Sequence, residues 1–387
     1  MPSAASPIVK AVAAYTARTL PALLDMGSAT SALAPWMLAA LVAPGAKGAA
    51  LAEIERDLGL PAREAADGVA RLLTDGPAAL RSAIALWRSP LLAADGAFGA
   101  WEHGVPSPAA TGPVPSQAEA DAWTARETLG MIREFPVQIT SLTVCLLAAA
   151  IASRIRWNRP LGVVDAPPNA WGLRRMLLAS PKGVYGTAAG HIAVAQAGSW
   201  ADHLDVYSFI GEPGLPKGAL VPFAMDLVSG WQRSPRPGEG SPYLPIPPED
   251  LPSEGPAWSV VDGYDGVASV PAFEERADAV DISGLTGVGE AAEALKALVE
   301  GAMPPSLRPV DISARMSALA RYDRLGFEAA AVASIGLAMR GMPQERKVLN
   351  LRFARPHLVV AVATDDTYAG LPLFAAWVDR GVREPEG

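Results

Sequence analysis

An α+β fold is what this sequence predicts. Residues at helical spacing crowd the first sixty positions, β-rich apolar runs fill Leu349 to Val378, and no βαβ frame links the two. With 387 residues, 50% of them hydrophobic and 19% charged, the chain can bury a large core as one big domain or two ordinary ones.

The first element is an amphipathic helix, because Ile8, Val12, Tyr15, Thr19 and Leu23 recur on one helical face. The first thirty residues lack the basic segment, apolar core and small-residue cleavage site of a secretory leader, so a cytoplasmic protein is expected. Residues 8–60 read as helices broken at Gly27, at Pro44-Gly45 and at Gly59, the last a C-cap after Leu51, Ile54 and Leu58. Residues 80–87, LRSAIALW, read as a strand. The Pro/Ser/Gly-rich 104–118 reads as loop, and an amphipathic helix follows from about Ala118 to Ile132. Val144 to Ile155 is a buried strand or a buried helix, since its length and β-branched ends leave both open. Eight prolines between 235 and 256 force extended backbone and exclude a regular helix or central strand. A long surface connection fits them better than a docking ligand for an aromatic groove. Leu349 to Val378 reads as two strands joined by the polar turn Thr364 to Gly370.

Charge and side-chain chemistry remove several function classes. The net charge is −8 and no Lys/Arg run exceeds two residues, so nucleic acid is not an expected partner. The longest uncharged apolar run, Leu142 to Ala152, is shorter than the ~18 residues that cross a bilayer, so no membrane is expected. The histidines, His103, His191, His203 and His357, show no i,i+4 pairing, and neither a G-x-S-x-G elbow nor a Walker loop is present. Gly287-Val288-Gly289-Glu290-Ala291-Ala292 has the look of a dinucleotide fingerprint, but a helix start explains it at least as well. The acid pairs Asp365-Asp366 and Glu249-Asp250 sit in turn or Pro-rich contexts and read as solvated charge. The single cysteine, Cys145, has no partner for an intrachain disulfide and reads as a buried structural thiol. No set of residues supports an enzyme, a cofactor or a metal.

The most informative stretch is Gly326 to Pro356, GFEAAAVASIGLAMRGMPQERKVLNLRFARP. Propensity alone makes Phe327 to Met339 a helix, weakened only modestly by Val332, Ile335 and Gly336. Its order tells differently: a glycine and an acid, a tract of small residues, Arg340-Gly341, then Arg355-Pro356 opening an apolar strand. That order resembles the reactive loop of the serpin family. Three further stretches match family patterns in the right sequence. Ser31 to Gly48 resembles a serpin helix that ends in Gly-Ala-x-Gly, here Gly45-Ala46-Lys47-Gly48. Trp123, Thr128, Gly130 and Ile132 match W-x-x-x-x-T-x-G-x-I, and VCLLAAAIASRIRW resembles the strand that closes on a Trp, here Trp157. Phe353 to Val378 resembles the closing strand pair, whose usual form is R-P-F-x-F and then L-F-x-G-x-V. The matches span roughly residues 8–380, with 158–310 matching only loosely.

The resemblance implies a divergent bacterial serpin-like protein: one domain over residues 1–387, three β-sheets, eight or nine helices, and an exposed reactive loop at about 326–347. Counting Gly326 as the fifteenth residue before the cut makes Arg340 and Gly341 the reactive bond, with Gly326, Phe327, Glu328, Ala329, Ala330 and Ala331 as the hinge. An arginine there suits a protease pocket floored by a carboxylate, so the expected partner is a trypsin-like serine protease and the expected state a monomer. In the implied mechanism the protease acylates itself on the loop, which then inserts as a strand with Phe327, Ala329, Ala331 and Ala333 facing the core. Two departures stand out. Phe327 replaces the usual Thr or Ser, and overpacking at a tight slot costs ~1–3 kcal/mol. Ser31, Ala34, Ala149 and Met316 stand where inhibitors place two serines, an asparagine and a histidine beneath the opening sheet. Both departures favour the alternative, a non-inhibitory serpin-fold binding or scaffold protein.

Overall fold

The computed structural model describes residues 6–93, 95–166, 168–188, 190–231, 243–308, 310–327 and 345–382. Its contacts divide the chain into two compact units, one of residues 5–153 with 276–319 and one of residues 154–275 with 320–387.

In the first unit α1 (Pro7–Met26) opens on a proline, which the first helical turn tolerates because no N–H is needed there. Ile8, Val12, Tyr15, Thr19 and Leu23 are all buried, so the predicted stripe is the core-facing one. After β1 (Ala29–Thr30), α2 (Leu33–Val42) is apolar nearly all round and buried along most of its length. It packs with α3 (Gly48–Leu58) and α4 (Ala62–Asp75). Buried indoles in this helical layer are satisfied: Trp36 Nε1 donates to the Leu58 carbonyl at 3.1 Å, and Trp101, on α5 (Gly96–Glu102), to the Leu41 carbonyl at 2.8 Å.

A three-stranded sheet completes this unit, with β2 (Arg81–Arg88) in the middle, β3 (Ala110–Pro113) parallel on one side and β4 (Cys145–Ala152) antiparallel on the other. The open choice for 144–155 is thus settled as strand. β3 lies inside the stretch that reads as loop; Gly112 and Pro113 hide it, and they are tolerated because β3 is an edge strand whose missing N–H leaves no ladder partner unpaired. Between them α6 (Gln117–Glu127) starts on a capping box, Ser116 Oγ accepting from the Glu119 N–H and the Glu119 carboxylate from the Ser116 N–H. It stops short of Ile132, and the Trp123-to-Ile132 motif explains why. The Thr128 hydroxyl donates to the Thr124 carbonyl at 2.7 Å and accepts from the Ile132 N–H at 3.1 Å, while Gly130 turns the chain at φ 79°. Trp123 meets Trp87 edge-on at 5.3 Å, which seals α6 to the sheet.

The second unit is mainly β. It holds β5 (Ile155–Arg156), β6 (Val163–Asp165), and an antiparallel meander of β7 (Arg175–Thr187), β8 (Gly190–Ser199) and β9 (Leu204–Gly211). α7 (Lys217–Trp231) packs on β9. The described part of the Pro-rich stretch carries a single 3-10 turn at Pro248–Asp250 and isolated bridges at Pro245 and Glu254, and Ile246 N–H donates to the Val184 carbonyl at 2.7 Å. It delivers β10 (Trp258–Gly263), β11 (Ala268–Val270) and β12 (Phe273–Asp281), none of which the sequence reading placed. α8 (Val288–Ala302) belongs to the first unit. Its cap glycine, Gly287, has its N–H held by the Glu290 carboxylate at 3.0 Å, so the Gly287–Ala292 motif is a helix start. β13 (Arg315–Tyr322) leads to β14 (Gly326–Phe327), β15 (Arg346–Arg352), β16 (His357–Ala363) and β17 (Pro372–Val378). Leu349 to Val378 therefore carries three strands rather than two: the end of β15 comes first, and the predicted turn joins β16 to β17. Within this unit the strand order is β17-β16-β9-β8-β7-β11-β15-β10, with β6 beside β7. The described residues form eight α-helices and three sheets, an α+β fold.

Candidate functional site

The site is built around the root of the predicted loop in the mainly β unit. Tyr322 ends β13, and the chain reverses through Asp323-Arg324-Leu325 into β14. Asp323 makes the turn: its carboxylate accepts from the Leu325 N–H at 2.7 Å and the Gly326 N–H at 3.1 Å, and its own N–H donates to the Gly326 carbonyl. β14 is paired on both sides, Phe327 with Tyr322 and Ile155, Gly326 with Arg156. A β-carbon on Gly326 would lie 2.2 Å from the Ile155 carbonyl oxygen, so only glycine fits this close approach.

Aromatic rings line this root. Trp157 donates its indole N–H to the Asp323 carbonyl at 2.9 Å and lies 5.1 Å from the Tyr322 ring, which stacks on Phe273 at 5.5 Å. Phe327 is 5% exposed, with its ring 6.3 Å from Phe374. Rings that bury this much surface give the root of the loop a packed aromatic base. The chain resumes at Glu345 and enters β15, where Arg346 pairs with Gly263 and Lys347 forms an ion pair with Asp262 at 2.9 Å.

Of the predicted site residues, Gly326 and Phe327 stand on β14, buried and paired on both sides, and Arg346 and Lys347 stand on β15, so the expected exposed stretch of about 326–347 is too wide at both ends. Glu328, Ala329, Ala330, Ala331, Arg340 and Gly341 lie outside the described residues. The four residues expected beneath an opening sheet belong to the other unit. Ser31 is buried and its Oγ accepts from the Leu33 N–H at 3.2 Å, at the start of α2. Met316 is buried with its sulphur 4.0 Å from the Thr30 hydroxyl, next in sequence to Ser31. Ala34 and Ala149, both half-buried, stand on α2 and β4, two elements that pack together. Tyr322, Asp323 and Phe273 were not anticipated, although the acid three residues before Gly326 is a readable turn signal.

Elsewhere the titratable groups are structural. His357 is fully buried, its Nδ1 3.1 Å from the Arg355 carbonyl and its ring against Phe353 and Trp171; burial lowers its pKa to about 4. Glu212 has its pKa lowered by hydrogen bonds from His191, whose Nδ1 lies 2.6 Å away. Burial, with the nearby Glu102 carboxylate, pushes the Cys145 thiol up to about 12 although the residue is only partly covered, so the thiolate needed for nucleophilic attack is not populated. Among the described residues no group of three or more His, Cys, Asp or Glu side chains stands together as metal ligands, and no helix is long and apolar enough to cross a membrane.

No protein-family model matches the sequence, and no curated protein matches it. Solved structures do match, nearly end to end. The thermophilic serpin tengpin in its native state is similar at TM-score 0.64 and 15% identity, covering 97% of this chain and 96% of that one. Human kallistatin is similar at TM-score 0.64 and 15% identity over 96% and 98% of the two chains. Human thyroxine-binding globulin with thyroxine bound is similar at TM-score 0.62 and 15% identity over 96% and 97%. With three sheets, eight helices and matches of this coverage, the chain has the serpin fold.

Proposed function

We propose that this protein is a serpin-type inhibitor of a trypsin-like serine protease, acting through residues 326–347 with Arg340-Gly341 as the reactive bond. The supporting observation is how that segment is held. It leaves β14, paired on both sides and seated on aromatic rings, and it enters β15, whose loop-proximal residues pair with β10 and whose far end, Leu351 and Arg352, also pairs with β11. A recognition sequence anchored so firmly at both ends is presented to a protease at low conformational cost. Arg340 is the bait, recognised by a carboxylate at the floor of the protease pocket through charge-assisted hydrogen bonds. Glu328 to Ala331 are the hinge, and the small side chains after them suit insertion as a strand.

A second reading, a non-inhibitory binding or scaffold protein on the same fold, is favoured by two observations. Phe327 is committed to packing at the root, and Ala34, Ala149 and Met316 replace polar groups. Thyroxine-binding globulin, similar in fold, binds a small ligand. Incubation with a panel of Arg-directed serine proteases, read on a denaturing gel with mass spectrometry of the fragments, separates the two. The inhibitor reading expects first cleavage between Arg340 and Gly341, a covalent band, and loss of both in Arg340→Ala. Cleavage there without a covalent band, or equal inhibition by Arg340→Ala, overturns it.

A further inference from the structure

The connection between β10 and β11 lies against the strand on which the chain resumes. β10 ends with Gly263 opposite Arg346, and β11 begins with Ala268 opposite Leu351, so residues 264–267 pass from one edge of β15 to the other. The crossing is held close. A β-carbon on Gly266 would lie 2.2 Å from the Leu349 carbonyl oxygen, so only glycine lets the connection approach β15 there. Val267 N–H donates to the Asn350 side-chain carbonyl at 3.2 Å, and the Val267 carbonyl accepts from the Leu351 N–H at 2.8 Å.

Apolar side chains crowd this short, fixed segment. Val261 is 37% exposed, Tyr264 55% and Val267 41%, three of the eleven large hydrophobic side chains that stand exposed among the described residues. Single exposed apolar residues are ordinary, but three within seven positions of a pinned connection make a patch. Its place says what covers it. The described chain resumes at Glu345, and Gly341 is four residues before it, a reach of at most ~14 Å. A protease of about 230 residues has a radius of gyration of about 17 Å, so an enzyme closed on Arg340-Gly341 extends past Glu345 and onto the connection beside it.

We propose that Val261, Tyr264 and Val267 are a second contact for the protease that takes the loop, filling an apolar hollow on the side of its cleft that holds the residues after Gly341. This role rests on the inhibitor reading above and deepens it. Arg340 admits any enzyme with a carboxylate-floored pocket, whereas the patch selects among them. Tyr264 is its anchor, because an aromatic ring on a segment already fixed loses little entropy on binding.

The test sets several purified Arg-directed serine proteases against two substrates, the full-length protein and a free peptide of residues 334–347. For each enzyme, kcat/KM for cutting the protein at Arg340-Gly341, or the rate constant for covalent capture, is divided by kcat/KM for the peptide, which has the loop sequence and no patch. For the enzyme with the highest ratio, Tyr264→Ser should lower it at least about tenfold, through KM with kcat unchanged. Tyr264→Phe should keep most of it, and Leu142→Ser, which removes an exposed leucine outside the patch, should not move it. Denaturant midpoints equal to the parent's exclude a general loss of structure. An unchanged ratio in Tyr264→Ser and in Val261→Thr/Tyr264→Ser/Val267→Thr, for every enzyme that cuts or is captured, overturns the second contact and leaves the inhibitor reading in place. A parent that dimerises in sedimentation and a monomeric Tyr264→Ser overturn it too, since a second copy then covers the patch. Patch-dependent cutting at Arg340-Gly341 with no covalent band supports the contact and sinks the inhibitor reading alone. No cutting at that bond by any enzyme sinks both.

Discussion

His357 occupies the position where the resembled strand pattern carries Phe, and it behaves as an aromatic core residue. It sits between Phe353 and Trp171, fully buried, with its pKa lowered to about 4 by burial. In the unfolded chain it titrates near 6.5. Above that pH both states are neutral and the residue adds no pH dependence. Between about 6.5 and 4 the unfolded state binds a proton that the folded state refuses, so stability falls as pH falls. The full swing is roughly 3 kcal/mol. His357→Phe should therefore narrow the loss of stability between pH 7 and pH 4 by an amount of that order, read as the difference between two denaturant-unfolding series. Parallel curves for the two proteins would refute a neutral buried imidazole. At the same scale Gly326 was legible as a landmark but not for its cause, which is the Ile155 carbonyl that a local reading cannot see.

At the scale of elements, what the sequence disclosed depended on where the signal was stored. α1 was legible because its five buried positions repeat within one helix, and the end of α6 because Thr128 and Gly130 carry the stop locally. β3 was missed because it is a short edge strand ending in Gly and Pro, β10 because its partner lies far along the chain, and the meander β7–β9 with the strands β11 to β13 was not read either. β14 is shorter still, yet it governs the site. It places Phe327 in the core before any cut, opposite Ile155 and Tyr322 and against Phe374. Phe327→Thr removes most of that ring and leaves a hydroxyl to be satisfied, so the uncut protein should lose about 2–4 kcal/mol. Denaturant midpoints at constant m-value measure it. A loss below about 0.5 kcal/mol would mean that the root tolerates an empty pocket, and Phe327 would then be no anchor.

For the whole molecule the fold was readable from ordered motifs at the two ends and the middle, and the structural neighbours cover 96–97% of the chain. The function was less so, because the reactive bond rests on a count from Gly326 and the resemblance rather than on any local chemistry. One global property separates a trap from a static platform: whether the cut chain becomes more stable than the uncut one. Insertion must begin at Phe327, which would have to give up its packing at the root and enter a slot that suits alanine. The wild type, nicked at Arg340 by low-dose trypsin, should accordingly raise its Tm by no more than about 1 °C, the shift that roughly 1 kcal/mol produces in a chain of this size. Phe327→Thr begins from a less stable uncut state and meets no bulk at the hinge, so the same nick should raise its Tm by several times that amount. Calorimetric scans before and after nicking, at one scan rate, decide the matter. A large gain in the wild type shows that Phe327 is no obstacle and that fast trapping is open to this chain. No gain in either protein removes insertion altogether and leaves the binding-protein reading in its place.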